Sequence, residues 1–194
     1  MARKTKQIRS IQTELKTRIV DDSPEKYIEG YFAVFNKEVE LWPGAYEEIA
    51  PTAFDGALLD DVRALINHDT TLVLGRTKAG TLELKTDSQG LWGCIKVNPN
   101  DGDAMNLYER VARGDVDQCS FGFDIIKEET DWREDGTVKW TIQEVKLYEV
   151  SPCTFPAYEQ TGIQARKAQV SEHRERLLET RKKKTRERLR CLSS

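Results

Sequence analysis

Short stretches in which apolar and polar residues alternate recur along the chain and predict a series of β-strands. Residues 26–35 are rich in aromatic and β-branched side chains, which favours a first core strand. Similar stretches follow at residues 62–68, 71–76, 80–86 and 91–97, and turn-forming residues separate them. Short strands at this spacing are typical of a β-sandwich or a β-barrel.

A second apolar spacing, that of an amphipathic helix, occurs at two places. The apolar side chains of residues 103–113 share one helical face, and residues 98–101 before them offer helix caps. Within residues 50–59 the pattern predicts a shorter helix with Thr52 as its N-cap. Both helices would pack an apolar face against the strands.

The two ends of the chain are more polar than its middle. Residues 1–24 read as a polar arm with a short helix at residues 8–18, and residues 161–190 read as a solvated helix. The total of 194 residues suits one domain of roughly 150 residues plus a tail. We therefore expect an N-terminal arm at 1–24, a folded domain at 25–162 and a basic helical tail at 163–194.

A predicted strand that carries a serine comes directly after the longer helix. Side chains alternate between the faces of a strand, so Cys119, Phe121 and Phe123 share one apolar face. Ser120 and Gly122 share the other face, where the glycine leaves room for another backbone to approach. We interpret Ser120 as a nucleophile whose base and orienting acid come from elsewhere in the chain.

A histidine ends the predicted strand at residues 62–68. By alternation His68 lies on the same face as the apolar residues before it. Histidines at such positions are most often satisfied core residues. However, the other histidine, His173, lies in the charged tail. If the domain uses imidazole chemistry, His68 must supply it.

A carboxylate ends another apolar stripe in the same way. A charged connection at residues 127–135 leads to a return strand at residues 137–150, in which Glu149 follows the apolar positions. A buried carboxylate without a partner costs several kcal/mol, so Glu149 should be paired, and imidazole is a suitable partner. A serine hydroxyl needs a base, and that base needs a group that fixes its tautomer. Ser120, His68 and Glu149 are candidates for these three roles.

The charge distribution concerns partners rather than the fold. The net charge is −3, but residues 164–194 hold 11 Lys or Arg against 4 Asp or Glu, and the remainder of the chain is acidic. The basic run at residues 181–184 is compatible with nucleic acid. A solvated helix, or a clamp on an acidic protein, explains it at least as well.

Cysteine usage and the apolar pattern limit the class of protein. The four cysteines, Cys94, Cys119, Cys153 and Cys191, lie far apart and lack the spacing of a metal site, so we expect no disulfide, metal or cofactor. No apolar run follows the basic N-terminal residues, and no segment approaches the roughly 18–20 apolar residues of a membrane span. We expect a soluble protein of a reducing cytoplasm, with no membrane contact.

Five short motifs carry a family resemblance. They are EIAPTAF at residues 48–54, NHD at 67–69, LGR at 74–76, SFGF at 120–123 and YEVSPCTFPA at 148–157. As an ordered set within residues 27–160, they resemble the prohead maturation protease family of tailed bacteriophages.

The resemblance implies a fold and an activity. The fold would be mainly β (α+β), a closed or partly closed barrel of mixed strands flanked by a few helices, as in the herpesvirus assembly protease. The activity would be that of a serine endopeptidase acting inside the immature prohead in the bacterial host cytoplasm. Its substrates would be scaffold protein or a scaffold-like extension of the major capsid protein, and often the enzyme itself.

The resemblance also assigns roles to residues. Ser120 would be the nucleophile and His68 the general base. Glu149 would be the third member, where the herpesvirus relatives use a second histidine, and Asp69 and Asp124 are competing acids. Strand alternation turns Asp69 away from the face of His68. The oxyanion donors would be backbone N–H groups of residues 154–158, excluding the proline at 156.

Two alternatives concern the nucleophile and the function. Cys119 is adjacent to Ser120, and a thiolate is a strong nucleophile, but its position beside Phe121 and Phe123 predicts a small core residue. The second alternative is a non-catalytic capsid-assembly or scaffold-binding protein that retains the protease fold. Its partners would still be scaffold and capsid proteins, with self-association possible and nucleic acid disfavoured.

Overall fold

The computed structural model describes residues 7–12, 15–19, 25–155 and 160–192. Two compact units divide the chain, Met1–Glu159 and Gln160–Ser194. Within the described residues, the first unit is mainly β with some helix, as predicted. Among these same residues, no helix combines the length and the apolar character that a membrane crossing requires.

The strands and helices have the following bounds. The strands are β1 Gln7–Gln12, β2 Lys16–Ile19, β3 Lys26–Val34, β4 Val39–Trp42, β5 Ala45–Ile49, β6 Arg63–Ile66, β7 Asp69–Arg76, β8 Leu82–Thr86, β9 Gly90–Val97, β10 Gln118–Trp132 and β11 Val138–Cys153. The α-helices are α1 Gly102–Arg113 and α2 Gln160–Leu192, and short 3₁₀ helices occupy Pro51–Phe54, Ala57–Leu59 and Thr77–Ala79.

The strands of the first unit form two sheets. One has the order β1-β10-β11-β5-β4, with β6 joined to β11 and β7 joined to β6; the other has the order β2-β3-β9-β8. The pairs β11–β5 and β11–β6 are parallel and the remaining pairs are antiparallel. The strands are therefore of mixed direction, as expected, but pairing among the described strands gives two sheets and closes no barrel.

Strand β11 brings distant parts of the chain together. Along one edge it pairs with β10 from Val138 to Cys153. Along the other edge it pairs first with β5 and then, at Glu149 and Val150, with β6. The C-terminal half of β11 therefore lies between the serine strand β10 and the hairpin formed by β6 and β7.

Helix α1 confirms the helix predicted at residues 103–113. The Asp101 carboxylate caps it by accepting hydrogen bonds from the N–H groups of Asp103 and Ala104, at 3.0 and 3.3 Å. Gly114 ends the helix with a φ of +82°, a conformation that glycine adopts without steric cost. Its buried residues are apolar or aromatic, namely Ala104, Leu107, Tyr108 and Val111.

Aromatic residues of β10 fill the core. Phe121 and Phe123 are fully buried, and their rings stack with centroids 4.7 Å apart. The ring of Phe54 meets Phe121 edge-on at 5.5 Å. Cys119, also fully buried, belongs to the same apolar cluster, which confirms its predicted core position.

Truncating Phe121 should be costly for stability. We expect Phe121→Ala to lower the free energy of unfolding by about 3–5 kcal/mol, because it removes a ring with two aromatic neighbours and leaves a cavity. The control Phe155→Ala, at a side chain 78% exposed, should change the free energy by less than about 0.5 kcal/mol. Urea denaturation of both variants measures the difference, and equal losses would contradict the assignment of Phe121 to the core.

The helix predicted at residues 8–18 is wrong. Two strands, β1 and β2, occupy this part of the chain and pair with β10 and β3. Pairing along the edges of long strands satisfies those backbone N–H and C=O groups of β1 and β2 that face β10 and β3. Local propensity gave no sign of these distant partners.

Two further predictions of local structure need correction. The segment at residues 50–59 forms two 3₁₀ helices rather than one helix, and the N-cap of the first is Ala50, with no side-chain cap from Thr52. Proline at the first helical position fixes φ there and needs no N–H partner. The charged connection at residues 127–135 is largely strand, because β10 continues to Trp132 and pairs with β11 as far as Val138.

The second unit contains α2. Exposed ion pairs form along it, between Arg176 and Glu172 at 2.7 Å and between Lys182 and Glu179 at 2.8 Å. Leu177 and Leu178 are also exposed. The helical character predicted for residues 161–190 is confirmed.

Candidate active site

A two-residue turn between β6 and β7 carries His68. Ile66 and Asp69 pair across it, which leaves Asn67 and His68 as the turn residues. Their φ angles are +49° and +63°. A type I′ hairpin turn requires a positive φ at both of these positions. Asparagine adopts this conformation readily, whereas histidine does so at some cost. The prediction that residues 62–68 form one strand is therefore wrong at its end, because the chain reverses at Asn67.

Hydrogen bonds fix this turn to the end of β11. The N–H of Asn67 donates to the Pro152 carbonyl at 3.1 Å. The N–H of Thr154 donates to Oδ1 of Asn67 at 3.0 Å, and the N–H of His68 donates to Oγ of Ser151 at 3.3 Å. The backbone of His68 is thus held against β11 independently of its imidazole.

The imidazole of His68 meets the carboxylate of Glu149. Nδ1 of His68 lies 2.7 Å from Oε1 of Glu149, and the two side chains are 11% and 3% exposed. Oε2 of Glu149 accepts a hydrogen bond from Oγ of Ser151 at 2.7 Å. A carboxylate at Nδ1 favours the tautomer that carries its proton there, so Nε2 is left as the basic nitrogen. The predicted pairing of Glu149 with imidazole is present.

The LGR motif supports the same hairpin from its other end. Arg76 makes two hydrogen bonds to the Asp61 carboxylate, at 2.7 and 2.6 Å, and this pairing lowers the pKa of Asp61 to about 2. A side chain at Gly75 would meet the Thr81 carbonyl oxygen at 2.7 Å, closer than a Cβ allows. The motif therefore packs and anchors the strands that hold His68.

Ser120 lies one strand away from this group. It is fully buried and stands opposite Ser151 of β11 and Ser10 of β1. Its Oγ donates a hydrogen bond to the carbonyl of Arg9 at 2.8 Å. In this conformation the hydroxyl proton of Ser120 is directed to the backbone of β1 rather than to an imidazole nitrogen.

A buried ion pair anchors β1 beside Ser120. The guanidinium of Arg9 contacts both carboxylate oxygens of Glu47 in β5, with Nη2 and Oε2 2.9 Å apart. Both residues are buried, and Arg9 also lies over the ring of Phe123 at 5.8 Å. The ion pair therefore ties β1, whose Arg9 carbonyl accepts the hydrogen bond from Ser120, to β5.

Cys153 is the neighbour of His68 that sequence reasoning missed. Its Sγ lies 3.6 Å from Nε2 of His68. Burial and the nearby charge of Glu149 raise the pKa of this thiol from 9 to about 12. Alternation along β11 places Cys153 on the face of Glu149 and Ser151, and that signal was available in the sequence.

The two competing acids have other partners. The Asp69 carboxylate accepts hydrogen bonds from the N–H and the hydroxyl of Thr71, at 2.8 and 2.6 Å, and these bonds lower its pKa. Asp124 accepts a hydrogen bond from the Tyr148 hydroxyl at 2.9 Å. Glu149 is the acid that contacts His68.

An open cleft leads to the imidazole. Asn67, His68, Cys153, Thr154 and Phe155 line it, and Phe155 is 78% exposed at its rim. Because the N–H of Thr154 is bonded to Asn67, it is not free to serve as an oxyanion donor in this conformation. Residues 156–158 of the predicted oxyanion segment lie outside the described residues.

Comparisons with known proteins agree with this architecture. Residues 13–176 match a family model described as caudovirus prohead serine protease. The chain is 32% identical over 161 residues to the prohead protease of Enterobacteria phage HK97; the alignment covers 81% of this chain and 66%, just under two thirds, of that relative. The solved structure of the bacteriophage T4 capsid assembly protease, gp21, has a similar fold, with a TM-score of 0.51 at 12% identity; the match covers 78% of this chain and 98% of that one.

Proposed function

Because the chain belongs to the caudovirus prohead serine protease family, we propose that it is a serine endopeptidase of phage capsid maturation. Its proposed substrates are scaffold protein or a scaffold-like extension of the major capsid protein, and the enzyme itself. It would act inside the immature prohead, in the host cytoplasm. The contact of 2.7 Å between Nδ1 of His68 and Glu149, one strand from Ser120, is the observation that supports this proposal.

In the proposed mechanism Ser120 is the nucleophile and His68 the general base. Glu149 holds the proton on Nδ1, so Nε2 takes the proton of Ser120 as its Oγ attacks the scissile carbonyl carbon. The imidazolium then protonates the leaving amine, the C–N bond breaks, and water hydrolyses the acyl-enzyme by the same route. Before the first step, Oγ of Ser120 must rotate away from the Arg9 carbonyl.

The oxyanion of the tetrahedral intermediate would be stabilised by backbone N–H groups that follow β11. The N–H of Thr154 is engaged by Asn67, which favours residues 155, 157 and 158 as donors. The cleft beside His68 would hold the extended substrate, with Phe155 exposed to it. The finer resemblance, to the fold of the herpesvirus assembly protease, is part of this proposal, without a closed barrel.

The basic tail is proposed to bind acidic partners. Residues 164–194 carry 11 basic and 4 acidic side chains, and many of those that the structure describes on α2 are exposed. Such a helix would concentrate the enzyme on an acidic scaffold through charge, and self-association is part of the same proposal.

A cysteine nucleophile is the competing chemistry, because Cys153 faces Nε2 at 3.6 Å. Burial and the charge of Glu149 raise the pKa of this thiol to about 12, so the neutral thiol predominates at pH 8. The thiolate needed for attack is therefore scarce. The family description as serine proteases also supports Ser120.

Covalent labelling separates these possibilities. Proheads assembled with the protein should be treated with a fluorophosphonate or, separately, with iodoacetamide at pH 8. We expect the fluorophosphonate to modify the peptide that contains Ser120 and to stop cleavage, and iodoacetamide to leave cleavage unchanged. Mass spectrometry and gels provide the readout. Inactivation by iodoacetamide alone would favour Cys153, and absence of both labelling and cleavage would favour the non-catalytic assembly protein.

A further inference from the structure

We infer that Asn67 is a positioning residue that holds His68 in its catalytic orientation, an inference that rests on the proposed function. Asn67 precedes the base directly and lies at the tip of the β6–β7 hairpin. Its contacts join that hairpin to the last residues of β11. It does not need to touch the reacting atoms to act.

The hydrogen bonds of Asn67 lie on both sides of Cys153. Its N–H donates to the carbonyl of Pro152 at 3.1 Å, and its Oδ1 accepts from the N–H of Thr154 at 3.0 Å. Residues 152 and 154 flank the thiol that faces Nε2 of His68. The backbone N–H and the side-chain carbonyl of Asn67 together therefore fix the position of the turn relative to the strand that carries Glu149.

The backbone conformation also favours asparagine at this position. With a φ of +49°, the residue lies in the left-handed region, which asparagine and aspartate tolerate better than other residues with a side chain. Glycine would adopt the turn but would provide no acceptor for Thr154. Aspartate would retain both the acceptor and the turn, and would add a negative charge close to the imidazole.

The titratable groups around His68 define what an added charge would change. Glu149 and Cys153 of β11 contact the imidazole, and Asp69 at the start of β7 is engaged by Thr71. A carboxylate at residue 67 would stabilise the imidazolium. The acidic limb of the pH profile for kcat/KM should then move to higher pH.

The test compares Asn67→Ala, Asn67→Gly and Asn67→Asp on a peptide that carries the cleavage site mapped in mature particles. We expect Asn67→Ala and Asn67→Gly to lower kcat by about 10- to 100-fold with KM changed less than about threefold, because a misplaced base slows chemistry more than binding. Asn67→Asp should restore kcat to within about fivefold of the wild type, with the shifted pH profile.

Asn36→Ala is the matched control. Asn36 is also an asparagine with a positive φ, +52°, and its N–H donates to the carbonyl of Ile49. Ile49 pairs with Ile142 of β11, seven residues before Glu149, or about 23 Å along the strand. Asn36→Ala should leave kcat unchanged. A loss of kcat equal to that of Asn67→Ala, or failure of Asn67→Asp to restore kcat, would overturn the inference.

An NMR measurement that needs no catalysis distinguishes failure of the positioning role from failure of the proposed function. The chain has two histidines, so the ring signals of His68 can be assigned by NMR with His68→Gln as reference. The Nδ1–H signal bonded to Glu149 should broaden or vanish in Asn67→Ala and persist in Asn36→Ala. If the wild type cleaves nothing, the proposed function fails. If the signal is unchanged in Asn67→Ala, the positioning role fails.

Discussion

Replacing Ser120 with alanine should lower the rate of capsid or scaffold cleavage by about 10⁴-fold, the usual cost of losing a member of a catalytic triad. The variant lacks the hydroxyl that would attack the scissile carbonyl, while His68 and Glu149 keep their contact. Co-expression with genes for scaffold protein and major capsid protein, followed by gel analysis of the processed proteins, measures the loss. Single-turnover assays on assembled proheads give its size.

The control for Ser120→Ala is Ser10→Ala. Ser10 lies directly opposite Ser120 on β1 and is also buried, at 5% exposure. Both substitutions remove one buried hydroxyl, so their effects on the free energy of unfolding should be similar, about 1 kcal/mol. Cleavage by Ser10→Ala should stay within about threefold of the wild type. If Ser120→Ala keeps more than about one tenth of the activity, the nucleophile must be sought elsewhere.

Replacing Glu149 with glutamine should lower kcat by about 10³- to 10⁴-fold. A glutamine amide donates a hydrogen bond to Nδ1, which moves the imidazole proton to Nε2 and leaves no base facing Ser120. The substitution conserves volume at a side chain only 3% exposed. KM should change little, because Glu149 lies beneath the imidazole rather than in the cleft.

Glu144→Gln provides the comparison on the same strand. Glu144 is exposed on β11, so its substitution should leave kcat unchanged. Stopped-flow or discontinuous assays across pH 5 to 9 on both variants separate a tautomer effect from a general loss of charge. Activity of Glu149→Gln within tenfold of the wild type would remove Glu149 from the mechanism. Asp124, currently bonded to Tyr148, would then be the next acid to test.

Local sequence patterns predicted the elements whose burial follows a regular period along the chain. The alternation around Ser120 located β10 and placed Cys119 in the core, and the apolar spacing of residues 103–113 located α1. The pairing of His68 with Glu149 was also predictable, because a buried carboxylate has few partners and the domain has one histidine. These inferences needed only burial and periodicity.

Features that depend on distant pairing were not predictable in this way. The residues of β1 form a strand because β10 offers them an edge, which no local pattern in residues 8–18 reveals. The turn at His68 has no glycine to mark it. Alternation places Cys153 on the face of Glu149, but its contact with Nε2 of His68 became evident only with the pairing of β11 and β6.

The attachment of β6 has a consequence for the lifetime of the site. This strand has four residues, and its ladder to β11 consists of the pairs Glu149–Arg63 and Val150–Ala64. Fraying of so short a ladder, together with loss of the hydrogen bonds that join the turn to Ser151, Pro152 and Thr154, carries the imidazole away from its carboxylate while the long β10–β11 hairpin stays intact. The amide protons of β6 should therefore exchange with solvent faster than those of β10, and the population of intact ladders sets an upper bound on the fraction of molecules ready to react at any instant.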